Sequence, residues 1–398
     1  MRRLASRMSR LGTETAFEVL AKARALEAQG QDVIHLEIGE PDFDSPRAVV
    51  AAGVAALERG ETHYTPSAGI PELREAIAAY LKRARGLAYE PSQIIVTPGA
   101  KPIMFYAILA LVENGDEAIF PDPGFPIYAS MISFAGAKPV SLPLREEREF
   151  VPDVEELRSL ITPRTKLLIL NSPQNPTGGV MSPEAVREIA AIARERDLWV
   201  LSDEIYAEII YEGTHRSIAA EPDLAERTIV LDGFSKTFAM TGWRLGFGAF
   251  PRALVEGVTK LATNSVSCTA SFTQRAGVVA ISQRPAEVDQ MLAEFRRRRD
   301  AIVAGLNKIE GVRCRTPRGA FYVFPNITGL DLGDAKTVAD RLLNEAGVAA
   351  LAGTAFGAAG EGHLRLSYAN SLENLNTAVE RIGDWSRNAR SAALLTGR

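Results

Sequence analysis

Lys236 lies within Asp232-Gly-Phe-Ser-Lys-Thr-Phe-Ala-Met-Thr-Gly-Trp-Arg-Leu-Gly246, among small and hydroxyl residues, with Arg244 further along in a second glycine-bounded turn. Its amine can attack an aldehyde or act as a base, while Ser235 and Arg244 offer a hydroxyl and a guanidinium to a phosphate. A lone Ser-Lys pair would read as a solvated loop. The run as a whole is a layout for holding a phosphorylated aldehyde.

Further candidates stand where apolar runs end. Ile94-Ile-Val-Thr97 opens through Pro98-Gly-Ala-Lys101 into a helix expected over about 102–112. Such a turn presents free N–H groups and the positive end of a helix dipole, which suit an anion. Lys166-Leu-Leu-Ile-Leu170 leads to Asn171-Ser-Pro-Gln-Asn-Pro-Thr-Gly178 and places Asn175 at a strand's carboxyl end. Leu198-Trp-Val-Leu201 delivers Asp203 and Tyr206, and Thr228-Ile-Val-Leu231 opens onto the lysine segment. Near-continuous apolar strands are those buried on both faces, and ligands of open α/β sheets gather at their carboxyl ends.

The remaining elements frame this set. Phe17, Leu20, Ala21 and Ala25 recur at helical spacing and predict an amphipathic helix over 14–29, stopped at Gly30. Ser45 and Pro46 read as N-cap and first residue of a helix to Arg59; others are expected from Pro71 and over 183–196. Residues 33–36, 245–250, 319–324 and 363–368 read as strands. In the last, Arg365 alternates with Leu364 and Leu366 and so faces away from them. A long charged helix carries the core stripe Met291, Leu292, Phe295, Ile302 and Val303, which leaves Arg296-Arg-Arg-Arg-Asp300 as a solvated face.

The lysine segment, with its Met-Thr-Gly-Trp-Arg-Leu-Gly continuation, resembles that of the class I/II aminotransferases, the fold-type I pyridoxal phosphate (PLP) enzymes, and the resemblance extends from about Glu14 to Ile382. It implies an α/β fold, with a large cofactor domain over 46–290 whose mostly parallel sheet is flanked by helices. A small α+β domain would be formed by 1–45 and 291–398. It implies PLP on Lys236, with Asp203 opposite the pyridine nitrogen, Tyr206 and Asn175 at the ring oxygen, and Phe125 against the ring face. Gly99, Ala100, Lys101, Ser235 and Arg244 would hold the phosphate, joined by Tyr64 from a second subunit. Gly39, Asn175 and Arg365 would take the substrate α-carboxylate, and catalysis would fall to Lys236, Asp203 and Tyr206. Gly233 stands where one branch carries a hydroxyl three positions before the lysine, which leaves Ser235 as the substitute.

The activity implied is transfer of an amino group from an L-amino acid to a 2-oxo acid by two half-reactions in a homodimer. Lys101 occupies the position that one bacterial branch uses for the distal carboxylate of aspartate or glutamate. Ala16 and Phe17 stand where that branch has hydroxyl residues, and they suit an apolar or aromatic side chain. A PLP-dependent β-lyase would use the same lysine, aspartate and arginines. A regulator built on this fold would carry a DNA-binding domain, for which the residues before Glu14 leave no room.

Bulk properties agree. The chain has 398 residues, 46% apolar, enough to bury a sizeable core, and its net charge of −4 gives no global basic surface for nucleic acid. The basic start, Met1-Arg-Arg-Leu-Ala-Ser-Arg-Met8, is not followed by a signal-length apolar run, and no stretch reaches membrane-spanning length, so a cytoplasmic protein without membrane contact is expected. Cys268 and Cys314 are far apart and outside metal-ligand spacing, so free thiols and no metal are expected.

Overall fold

The computed structural model describes the chain from residue 4 to residue 396, with side chains to residue 392, so Met1 to Arg3 lie outside the described residues. The largest sheet has seven strands: β1 Ile94–Thr97, β2 Glu117–Asp122, β3 Lys138–Pro143, β4 Thr165–Asn171, β5 Trp199–Asp203, β6 Thr228–Gly233 and β7 Gly246–Ala249. Their order across the sheet is β1-β7-β6-β5-β4-β2-β3. Only β7 runs against its neighbours, so the other six share one direction and their carboxyl ends share one edge.

The apolar runs are buried on both faces. Ile95, Leu167, Ile169, Leu201 and Ile229 pack to one side with Ile103, Met104 and Tyr128. Leu168, Leu170 and Val200 pack to the other with Val186, Ile189 and Ile192. Alternation along each strand, with helices on both faces, is what a two-sided parallel sheet requires. The helices have local causes. In the helix Pro183–Glu195, Ser182 accepts the N–H of Ala185 at 3.2 Å as N-cap. The helix Pro71–Arg85 starts on proline and ends at Gly86, whose φ of 70° is left-handed.

A second core joins the two ends of the chain. Ile34 and Leu36 pack with Phe295, Ile302, Phe321, Leu364 and Leu375. Ile34–His35 pairs in parallel with Val348–Ala349, and Tyr322–Val323, Leu364–Ser367 and Leu351–Ala352 form a small antiparallel sheet. Both cysteines are free, Cys314 buried and Cys268 partly so. Among the described residues no helix is long and apolar enough to cross a membrane, and no cluster of His, Cys, Asp and Glu could hold a metal ion.

Three local expectations are corrected. The helix α1, Ala16–Glu27, has the expected period but a different phase. Ala23, Val19 and Leu26 pack on Val33, Leu343 and Ala349, while Phe17 is 62% exposed. Pro46, not Ser45, caps the helix α2, Arg47–Glu58; the Ser45 hydroxyl instead donates to Ala239 O at 2.7 Å and accepts from Trp243 Nε1 at 3.0 Å. Finally, the arginine run of the helix Ala286–Leu306 is not a solvated face throughout. Arg298 is buried against Asp42 and Glu294 and over the Phe43 ring, and Arg299 against Glu212 and Asp300 and over Tyr211. Both aliphatic stems join the apolar stripe while the guanidinium groups are paired, which local periodicity does not register.

Candidate active site

The shared carboxyl edge of the sheet opens onto a cavity of about 480 Å³. Its walls bring together Gly39, Ala100, Lys101, Phe125, Asn175, Asp203, Tyr206, Ser235, Lys236, Arg244 and Arg365. Gly99 lies just behind the wall: its φ is 85°, and a β-carbon there would come within 2.2 Å of Arg244 Nη2. A side chain at 99 would therefore strain the backbone and displace the arginine. Gly246 has a matching reason, since its β-carbon would fall 2.4 Å from Ala100 N, so glycine lets β7 approach the turn into the helix Lys101–Leu111. Ser235 lines the cavity and Gly233 does not. Tyr64 stands outside the wall and is 89% exposed.

Asp203, at the end of β5, is buried. Its Oδ2 accepts from the Tyr128 hydroxyl at 2.5 Å and its Oδ1 from Ile205 N–H at 3.2 Å. Burial pushes its pKa up to about 6; the two hydrogen bonds oppose that rise, and the charges of Asp232 and Glu204 add to it. Among the described residues no cation pairs with it. Asn171 accepts the N–H of Asn175 on Oδ1 at 2.9 Å and donates to Asp203 O at 3.1 Å, and so fixes both neighbours.

Lys236 follows β6 on the tight turn after Gly233. Its Nζ donates to Gly39 O at 2.5 Å and lies 5.7 Å from the centre of the Phe321 ring. Withdrawal from water lowers its pKa to about 8; Glu40 opposes that shift, and the positive charges of Arg365 and Lys101 add to it. With a pKa of about 8, roughly a tenth of the amine is neutral at pH 7, the form that a base or nucleophile needs.

Arg365 is buried between the rings of Tyr322, 4.6 Å away, and Phe356, 4.9 Å away. Its guanidinium donates to Asn175 Oδ1 at 3.3 Å and to Glu37 O, and its Nε has no partner. No carboxylate pairs with it among the described residues. A buried guanidinium with unspent donors is a receptor for an anion. Tyr206 and Tyr322 share a hydrogen bond of 2.8 Å between hydroxyls, and a β-carbon on Gly39 would lie 2.2 Å from the Tyr322 hydroxyl. Glycine at 39 thus makes room for Tyr322 as well as for a close backbone approach.

Sequence reasoning missed Tyr128, Asn171 and Tyr322, and also Glu14, whose carboxylate accepts from Lys101 Nζ at the cavity mouth. The alternation of Tyr322 against Phe321 and Val323 was the available signal for one of them. Below the site lies another unforeseen cluster, in which Arg85 is buried against Glu204 at 2.8 Å and against Asp232, and His215 is 2.9 Å from Glu204. This ties the ends of β5 and β6 to the helix Pro71–Arg85, and none of these four residues lines the cavity.

An amine of lowered pKa, a buried acid with no cation and a buried guanidinium with no acid among the described residues thus meet at the carboxyl edge of an α/β sheet, an arrangement with the groups for amine chemistry on an anion. Comparison with known proteins agrees. The family model for aminotransferase class I and II matches residues 31–382. The chain is 45% identical over 356 residues to an aspartate aminotransferase of Pyrococcus horikoshii, covering 88% of this chain and 90% of that one. It is 41% identical to an aromatic-amino-acid aminotransferase of Thermococcus litoralis, covering 89% and 92%. Among solved structures, aspartate aminotransferase from Thermus thermophilus with maleate superposes with a TM-score of 0.92 at 41% identity, over 96% of this chain and all of that one. The chain belongs to the class I and II aminotransferase family. Its reaction class is transamination, on the fold-type I architecture.

Proposed function

We propose that the protein transfers the amino group of an L-amino acid, with aspartate and glutamate favoured, to a 2-oxo acid such as 2-oxoglutarate, in two half-reactions that use PLP. The observation that carries this reading is the complementarity of the uncompensated charges. A pyridinium nitrogen is the cation that a buried Asp203 lacks, and an α-carboxylate is the anion that Arg365 lacks. The donor set fits the cofactor. Phosphate would be held by backbone N–H groups of Ala100 and Lys101, by Ser235 and by Arg244, with Gly99 shaping the turn. Phe125 would cover the ring, and Asn175 and Tyr206 would face its oxygen.

PLP bound there supplies an aldehyde that accepts the amino group and a cationic ring that withdraws electrons from the substrate Cα. The chain's own residues do the rest. Arg365 and Asn175, with the backbone at Gly39, orient the α-carboxylate so that the Cα proton faces Lys236. Lys236 Nζ carries that proton away and returns a proton to the product Cα in the second half-reaction. Asp203, when ionised, would supply the negative charge that favours a protonated ring nitrogen.

Lys101 at the mouth supports a preference for a second carboxylate. Ala16 and Phe17 in the same wall favour the other reading, an apolar or aromatic side chain. We also propose a homodimer with shared sites: Tyr64 is exposed, and Val50, Val54 and Leu57 leave an apolar stripe on α2. A division at 46 and 290 is part of this proposal; it is supported by a chain-end core of Ile34, Phe295, Phe321 and Leu364 apart from that of the central sheet, which Tyr206, Ile209 and Tyr211 of the larger part also join. The test is to record the absorbance of the purified protein while adding amino acids one at a time, then a 2-oxo acid. Loss of the aldehyde absorbance and its return support the proposal; no response to any amino acid refutes it.

A further inference from the structure

We propose that Glu14 is a specificity-determining residue. Its carboxylate occupies the Lys101 ammonium and must be displaced by the side-chain carboxylate of an acidic substrate, whereas neutral and aromatic side chains enter with the pair intact. The inference rests on the reading that Lys101 faces the substrate side chain.

Glu14 stands just before α1 and lines the cavity with Thr15, Ala16 and Phe17. Its Oε1 accepts from Lys101 Nζ, which also lies 5.4 Å from the centre of the Phe125 ring. Each is the other's only ion-pair partner among the described residues. The Glu14 side chain is 19% exposed against 46% for Lys101, so the carboxylate is the more enclosed member. Its charge also acts on Lys236, Arg365 and Tyr322, which places it within electrostatic reach of the reacting groups.

A substrate carboxylate arriving at Lys101 would meet this resident anion, and two carboxylates cannot share one ammonium without mutual repulsion. Glu14 must turn away. Its side chain can do so: the pair with Lys101 is its only hydrogen bond or ion pair among the described residues, and 14–17 lie outside the hydrophobic cluster of Val19, Ala23 and Leu26, while the backbone stays held by Gly12 N–H on Ser130 Oγ at 2.9 Å. An aromatic substrate displaces nothing and can cover the exposed ring of Phe17. The chain therefore carries a surrogate for the second carboxylate, which narrows the advantage of dicarboxylates over other substrates.

The test uses the holoenzyme and its Glu14→Gln, Lys101→Ser and double variants, with Glu18→Gln on the same helix as control. Dissociation constants for succinate and hydrocinnamate are measured by calorimetry, alongside the ratio of kcat/KM for aspartate over phenylalanine. Release of a partly exposed pair predicts that Glu14→Gln tightens succinate about two- to fivefold relative to hydrocinnamate and raises the aspartate ratio by a similar factor. In the Lys101→Ser background the same change should have no effect. If Lys101→Ser weakens succinate but Glu14→Gln fails to tighten it, or if the gain persists without Lys101, this inference is overturned and the role of Lys101 stands. If Lys101→Ser leaves succinate unaffected in both backgrounds, both fall.

Discussion

Replacing Asp203 with Asn should stabilise the cofactor-free chain above pH 6 while weakening its hold on PLP. The side chain keeps its shape and loses its charge. In the wild type, burial raises the pKa from 3.8 to about 6, which at 1.36 kcal/mol per pH unit amounts to ~3 kcal/mol against the ionised form. The sign follows from proton binding. The folded chain holds this proton more tightly than the unfolded chain, so the stabilisation is fully present below pH 3.8 and is lost as pH rises through about 6. Asn removes that loss. It also gives up one of the two acceptor oxygens that face Tyr128 and Ile205 N–H, at ~1 kcal/mol, which leaves a net gain of ~1–2 kcal/mol at pH 8. Opposite a cationic ring the balance reverses, because one member of a buried pair is missing, at ~3–5 kcal/mol, or roughly a hundredfold or more in cofactor affinity. Urea melts of the cofactor-free proteins at pH 4 and pH 8, with a PLP titration at pH 8, measure both. A variant less stable than wild type by the same amount at both pH values, or one that binds PLP as tightly, would refute the reasoning.

Three other outcomes follow from the same geometry. Lys236→Ala should abolish turnover with the fold retained; the cofactor-free wild type, unlike the variant, should gain stability as pH rises from about 8 towards 10.5, because the folded lysine has lost a proton that the unfolded one still binds, and denaturant melts across that window check it. Tyr128→Phe removes a donor from ionised Asp203 and moves its pKa above 6, so PLP affinity should fall about tenfold near pH 6 and much less at pH 8; an equal loss at both would show that the hydroxyl acts other than through the protonation of Asp203. Lys101→Ser should lower kcat/KM for aspartate about tenfold more than for phenylalanine, whereas equal losses in steady-state assays would show that Lys101 serves the phosphate.

The strand ends were legible because the sheet is buried on both faces. Uninterrupted runs such as Leu167-Leu-Ile-Leu170 stand out from their surroundings, and the candidate residues Asn175, Asp203 and Lys236 fall two to five positions beyond their ends at Leu170, Leu201 and Leu231. What stayed hidden depends on contacts between distant segments. Tyr128 reaches Asp203 across 75 positions and Glu14 reaches Lys101 across 87, and no local period encodes either pairing. The phase of α1 was misread for a related reason. Phe17 is the most apolar residue near its start, yet the contact with Leu343 and Ala349 turns Ala23 inward and leaves Phe17 at the cavity mouth. Arg298 and Arg299 were misread because an arginine on a helix looks the same in sequence whether its guanidinium meets water or Asp42 and Glu212.

The most direct test of the account follows the nitrogen. The holoenzyme is given aspartate labelled with nitrogen-15, together with unlabelled 2-oxoglutarate, and the label is traced by mass spectrometry. Transfer by two half-reactions predicts that it appears in glutamate, one equivalent for each equivalent of oxaloacetate formed. Label released as ammonia, with no labelled glutamate, would contradict amino-group transfer and assign these residues to elimination instead.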